Sequence, residues 1–239
     1  MQTAIIIGVG PEHGLGAQLC KRFAGLGLHV FVAGRTRAKL DKVVALIEAE
    51  GNTASAYVAD TTDEAQVNNL FDEVAQTGPL SVAIYNAGNN TPGKIIDMEA
   101  SYFEKSWKIC CFGGFLFARA ALQQMQDSGG TLLFTGASAS MRGRAGFGAF
   151  NSSKAALRVL AQALAKEYGP EKIHVGHVVV DGAINGEKIK TRWPEYAEKL
   201  GDEGMISIDG IVDAYEYLYR QPETAWTFEV DLRTAIENW

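Results

Sequence analysis

Only three cysteines, Cys20, Cys110 and Cys111, occur in the 239 residues, an odd set without metal-ligand spacing. No disulfide framework and no metal centre is expected, and the three read as reduced core thiols. No stretch approaches eighteen consecutive apolar residues, which leaves nothing to cross a membrane as a helix. The first eight residues hold a four-residue apolar run after two polar ones, too short for a secretory signal, so a cytoplasmic protein is expected. Asn89-Asn90-Thr91 and Asn151-Ser152-Ser153 match the glycosylation sequon and, without such a signal, read as chance. A basic excess is also missing. Against 28 Asp and Glu stand 22 Lys and Arg, a net charge of −6, so neither nucleic acid nor an anionic membrane is an expected partner. Repeats and low-complexity linkers are absent. With 47% of residues hydrophobic, the chain can bury a full core, and its length suits one domain over 1–239.

What is present is a rhythm. Apolar runs of strand length at 4–7, 29–33, 54–58, 82–85, 131–135, 175–180 and 226–230 alternate with helical patterns at 15–26, 38–50, 63–76, 102–125, 148–168 and 209–220. Runs apolar on both faces predict a mostly parallel sheet of seven strands, with helices on both sides, in an α/β doubly wound fold. Residues 184–204 break the rhythm. A long segment after a strand's carboxyl end is where a substrate lid would sit, and it carries Lys188, Lys190, Arg192, Trp193, Pro194 and Tyr196.

The first run leads into Gly8-Val9-Gly10-Pro11-Glu12-His13-Gly14-Leu15-Gly16 and then a helix. In a phosphate-cradling turn, Gly10 would permit the tight turn and Gly14 the approach of a pyrophosphate. Gly16 would permit close helix packing, with the helix N-terminus facing the negative charge. After the second run the chain reads Gly34-Arg35-Thr36-Arg37, with no acid to bind a ribose 2′-hydroxyl. A charge-assisted bond from Arg35 to a 2′-phosphate would contribute roughly 1.5–3 kcal/mol, which favours NADP(H) over NAD(H). Phe150 and Lys154, four apart at a helix start, have the spacing of a Tyr-x-x-x-Lys pair. In such a pair the lysine lowers the phenol's pKa so that it exchanges a proton with a substrate oxygen. Here the phenol is absent. A nucleophile elbow is excluded as well, because Gly136-Ala137-Ser138-Ala139-Ser140 lacks the second glycine.

With Asp60-Thr61 after the third run and Asn86-Ala87-Gly88 after the fourth, these pieces in this order resemble the short-chain dehydrogenase/reductase family. The resemblance implies a Rossmann domain binding a nicotinamide cofactor. It places Asp60 and Thr61 at the adenine, and Asn86, Ala87 and Gly88 in support of sheet and cofactor. It extends the cofactor contacts to His13 and Leu15 in the turn, Lys154 on the ribose, and Gly182 and Ile184 after the sixth strand. It also implies a homodimer or homotetramer built from the helices at 102–125 and 148–168.

The same resemblance marks departures. Aligning Phe150 with the family's tyrosine puts Ala137 in the serine's place, with Ser138 one position late, and Cys110 in the asparagine's place. Asp181-Gly182 replaces the family's Pro-Gly. Lys154 is retained, and its ribose bond outlives the loss of the phenol. For the missing proton donor, Asp181, Ser138, Ser152 and Tyr85 all stay open. The expected activity is hydride transfer to or from a small carbonyl, alcohol or activated double bond, with Lys154, Ser138, Asp181 and Phe150 forming the catalytic set. The alternative is a catalytically degenerate NADP(H)-binding protein with a sensing or subunit-pairing role.

Overall fold

The computed structural model describes residues 1–237. Strand β1 (Thr3–Ile7) is buried along its whole length. Its side chains alternate, Ala4 and Ile6 entering one core and Ile5 and Ile7 the other, so the strand needs cover on both faces. The chain continues through α1 (Leu15–Gly25), β2 (His29–Gly34), α2 (Arg37–Ala49), β3 (Ala54–Val58), α3 (Glu64–Thr77) and β4 (Leu80–Tyr85). Then come α4 (Ala100–Trp107), α5 (Gly113–Met125), β5 (Gly130–Thr135), α6 (Gly148–Tyr168) and β6 (Ile173–Val180). Two short strands, β7 (Ala183–Ile184) and β8 (Met205–Ile206), bracket α7 (Glu187–Arg192) and α8 (Pro194–Leu200). Helix α9 (Ile208–Tyr219) and β9 (Glu229–Leu232) complete the described elements.

The main sheet has the order β3-β2-β1-β4-β5-β6-β9, and every neighbouring pair is parallel. This is the doubly wound α/β arrangement, its strand order reversing between β1 and β4 and opening a crevice at their carboxyl ends. Helices α1, α2 and α9 supply the core on one face through Leu19, Phe23, Leu40, Val43 and Tyr215. Helices α3, α5 and α6 cover the other with Phe71, Phe117 and Leu157. Each fully buried side chain of this size contributes about 1.5–3 kcal/mol.

Three expectations shift in detail. The helix expected over 102–125 carries a π-helical turn at Lys108–Phe112, between α4 and α5. The Ile109 carbonyl in that turn accepts the Tyr85 hydroxyl, and Gly113 and Gly114 bring the next turn against β4 and α6. A Cβ at Gly113 would lie 2.6 Å from the Tyr85 oxygen, and one at Gly114 2.6 Å from Leu157. The strand expected at 226–230 instead begins at Glu229. The Trp226 ring is drawn off to stack on His174 at 5.0 Å. Finally, the segment at 184–204 is folded: β7 pairs parallel with β8, and Ile189, Ala197 and Met205 form a small core of their own.

Candidate active site

The crevice is built from the glycine turn upward. Gly8 takes φ 92, and a Cβ there would meet the Ala87 nitrogen at 2.5 Å, so it is Gly8 that admits the β4 loop. At Gly10 a Cβ would meet nothing within 4 Å. Gly16 is the close-packing position, its Cβ direction 3.1 Å from the Gly8 carbonyl and from the Asn86 amide. Helix α1 then starts with no side-chain cap and no acid in its first turn, which leaves its partial positive charge unopposed by described side chains. His13 is exposed beside this end, and its carbonyl accepts the Glu187 N–H at 3.4 Å. Leu15 is buried at the helix start.

Arg35, just past β2, is exposed and forms no ion pair with the described residues. Arg37 is committed to Asp41 at 2.7 Å, an ordinary pair one helical turn apart. Asp60 accepts from the Thr62 N–H at 2.9 Å and hydroxyl at 2.8 Å. Burial pushes its pKa up, but those two bonds and the charges of Arg35 and Lys105 outweigh it and hold the carboxylate below its usual range. Thr61 is buried beneath it. The Asn86 amide donates to the Gly8 carbonyl at 3.3 Å, and its oxygen accepts from the Thr135 hydroxyl at 2.9 Å. Thr135 in turn accepts from the Tyr215 hydroxyl at 2.6 Å, so one polar chain fastens β1, β4, β5 and α9 below the crevice. Ala87 is buried, while Gly88 is exposed and leaves room for Lys154, whose Nζ lies 3.5 Å from where a Cβ would stand.

Lys154 is buried on α6 and donates to the Thr135 carbonyl at 2.7 Å. That uses one of three donors. Burial lowers its pKa, Lys188 adding to this and Cys110 working against it. Cys110 is fully buried, its thiol 3.4 Å from the Asn89 oxygen that also accepts from Ser106 at 3.0 Å. Phe150 is half-buried and stacks on no ring among the described residues.

The four candidate proton donors stand in different surroundings. Tyr85 is fully buried, donates to the Ile109 carbonyl, and has its pKa driven upward by burial. The Ser152 hydroxyl donates back to the Gly148 carbonyl of its own helix at 2.9 Å. Asp181 is buried and is gripped by one Arg142 nitrogen at 3.0 Å to each of its oxygens, with Arg233 at 3.6 Å. It thus serves as the anion of an ion cluster that ties the segment after β5 to the end of β6. Ser138 is half-buried in a short 3₁₀ turn, and its hydroxyl has no protein partner among the described residues. Gly182 takes φ 156, and Ile184 is half-buried beyond it. Sequence reading passed over Asn89, Arg142 and Gly8. Only Gly8 had a local signal, a glycine at a strand end.

Comparison with known proteins agrees with this architecture. The short chain dehydrogenase family model matches residues 2–195. A 2,3-dihydro-2,3-dihydroxybenzoate dehydrogenase of Bacillus subtilis is 27% identical over 199 residues, covering 82% of this chain and 75% of that protein. A short-chain dehydrogenase from Rhodopseudomonas palustris superposes with a TM-score of 0.83 at 34% identity, over 97% of this chain and 98% of that one. A metagenomic short-chain oxidoreductase in complex with NADP has the same fold, with a TM-score of 0.83 at 23% identity and 98% of each chain covered. Among the described residues no helix is long and apolar enough to cross a membrane. The family match spans most of the chain, and the protein belongs to the short-chain dehydrogenase family and is an oxidoreductase by that membership.

Proposed function

We propose that the protein is an NADP(H)-dependent oxidoreductase with a non-standard proton donor. The residues fit the cofactor: the open N-terminus of α1 suits a pyrophosphate, and Arg35, exposed and in no ion pair among the described residues, suits a 2′-phosphate. Asp60 and Thr61 would hold the adenine end, and Asn86, Ala87 and Gly88 would back the ribose. A bound nicotinamide supplies or accepts the hydride. Lys154 carries the reading, because a buried ammonium fixed by the Thr135 carbonyl, with two donors left over, is a device for orienting hydroxyls or a substrate oxygen. Ser138 offers its hydroxyl to the same oxygen, and Phe150 gives the cleft an apolar wall. Asp181 is better used as the clamp on Arg142 than as an acid.

The fold of 184–204 supports its assignment as a lid, since its two helices share a small core and the segment touches the glycine turn through Glu187 and His13. Exposed Phe103, Trp107, Phe115 and Val159 on α4, α5 and α6 support pairing of two or four copies through those helices. Substrates that need little protonation, such as activated double bonds, suit a site without a phenol. General acid catalysis is worth roughly 10²–10⁴ in rate. Titration with NADPH and NADH by fluorescence tests the reading: NADPH is expected to bind more tightly, and equal affinities would overturn the assignment of Arg35. A binding or sensing role is the second reading, favoured by the apolar Phe150 where a phenol would serve. It wins if NADPH binds but no ketone, quinone or enone is reduced.

A further inference from the structure

We propose that the substrate of this cleft is a small organic oxyanion whose charge is received by Lys188 and Arg192 of α7. The inference rests on the hydride-transfer reading and adds the substrate's chemical class. Lys188 and Arg192 are one turn apart and share a face of α7. Arg192 crosses to the loop after β4, its Nη2 donating to the Thr91 hydroxyl at 3.3 Å, and its guanidinium lies 4.7 Å over the Trp193 ring. Helix α7 begins at the glycine turn, where the Glu187 N–H meets the His13 carbonyl at 3.4 Å, and ends at the loop after β4, where Arg192 meets Thr91, so it runs along the mouth of the crevice with Lys188 and Arg192 exposed on it. The charge of Lys188 also contributes to lowering the pKa of Lys154 below.

None of the three cations Lys154, Lys188 and Arg192 forms an ion pair with a described carboxylate, in a chain where acids outnumber bases 28 to 22. Four arginines that reach another element are matched, Arg22 with Asp213 and Glu216, Arg119 with Glu64, Arg142 with Asp181 and Arg158 with Glu229, whereas Arg35 and Arg144 form no ion pair among the described residues. Glu187, the acid next to Lys188, makes no ion pair among the described residues either. Lys188 is exposed, and partial desolvation and the like charge of Arg192 both lower its pKa. The Arg192 bond to Thr91 is long and has a neutral acceptor, and an oxyanion would replace it with a shorter bond charged on both sides. In the proposed reading the cofactor's phosphates are received by α1 and Arg35; because α7 begins beside His13 of the same turn, the pyrophosphate is the competing anion for Lys188, and the experiment separates the two.

Calorimetry on the full chain, with and without saturating NADP⁺, tests this with two matched pairs: benzoate against benzamide, and phenyl phosphate against phenol. At least one anion is expected to bind about tenfold or more tightly than its neutral partner, as one charge-assisted bond supplies. Lys188→Gln and Arg192→Gln should each reduce that preference about threefold or more, and the double variant should remove it. Which pair responds identifies a carboxylate or a phosphate ester. No preference in either pair, or a preference that survives the double variant, overturns the proposal. So does a Lys188→Gln variant that weakens NADP⁺ while leaving the anion preference intact, because Lys188 would then serve the pyrophosphate. Failure of NADP⁺ to bind the unmodified chain would instead sink the hydride-transfer reading, and the titrations without cofactor read the anion preference separately.

Discussion

Acidification should destabilise this fold through one side chain in β6. His177 is fully buried, its Nδ1 lies 2.9 Å from Glu229, and Glu229 is itself gripped by Arg158 at 2.6 and 2.8 Å. The other ring nitrogen has no hydrogen-bond partner among the described residues and faces Gly136, where a Cβ would stand only 2.3 Å away. Burial therefore pushes the His177 pKa down to about 4, and the attraction of Glu229 only partly offsets it. In the unfolded chain the same ring titrates near its ordinary value of about 6.5. Between those two values the unfolded state holds more protons than the native one, so stability is complete above the upper value and is lost as pH falls toward the lower. At about 1.4 kcal/mol per pKa unit, the loss reaches about 3 kcal/mol in full and roughly 2 kcal/mol between pH 7.5 and pH 5. For a chain of this size that is a fall in Tm of about 4–8 °C. Burial also lowers the pKa of His29 and His174, which act in the same direction, so the parent must be compared with His177→Gln, whose amide can still donate to Glu229. The variant should lose about half as much Tm over that range, or less. Equal losses in parent and variant would refute the reasoning.

Three further outcomes are expected. Arg35→Asp should narrow or reverse the preference for NADPH by about tenfold or more, because it exchanges a phosphate partner for a repelling carboxylate, as competitive titration would show. Lys154→Met should weaken cofactor binding while leaving Tm unchanged or higher, since a buried charge without an acid partner is removed; unaltered binding would make Lys154 structural. Ala137→Ser with Phe150→Tyr should raise reduction of simple ketones by about tenfold or more, and the two changes should be non-additive because the phenol needs the serine to orient the substrate; a rate unchanged by the pair would argue against a reactive pose in the cleft.

The strands were legible because they are buried on both faces, so that Ile5, Ile6 and Ile7 all had to be apolar wherever they pointed. The last strand was misplaced by local apolarity. Trp226, Thr227 and Phe228 look more strand-like than Glu229 and Asp231, yet pairing with β6 starts at Glu229, whose carboxylate is held by Arg158 and His177 across the sheet edge. Hydrophobic pattern carries no trace of such a partner. The π-helical turn was invisible for a similar reason, since one extra residue shifts the helical period too little to read, while its cause, the Tyr85 hydroxyl, lies 24 residues away. At the site, the sequence order of motifs brought Gly16, Asn86 and Lys154 into one crevice. It could not say that Asp181 would meet Arg142, because that pairing depends on how the segment after β5 folds back.

The Asp181 cluster also constrains the chemistry. Arg142 is half exposed and Asp181 is nearly inaccessible, so the pair draws a mobile cation down onto a fixed anion and anchors the turn that carries Ala137 and Ser138. Removing the aspartate would leave Arg142 to solvent and Arg233 with one anion fewer, and the turn would loosen at the point where the proposed reading holds a substrate oxygen. Positioning of reactants is worth more than a single proton donor, up to roughly 7–11 kcal/mol against the roughly 3–5 kcal/mol that corresponds to 10²–10⁴ in rate. A site that holds its walls rigid with ion pairs and aligns its substrate by charge can therefore sustain hydride transfer without a phenol, provided that the product anion is stabilised. In the proposed reading Lys154, with one of its three donors used among the described residues, would do that.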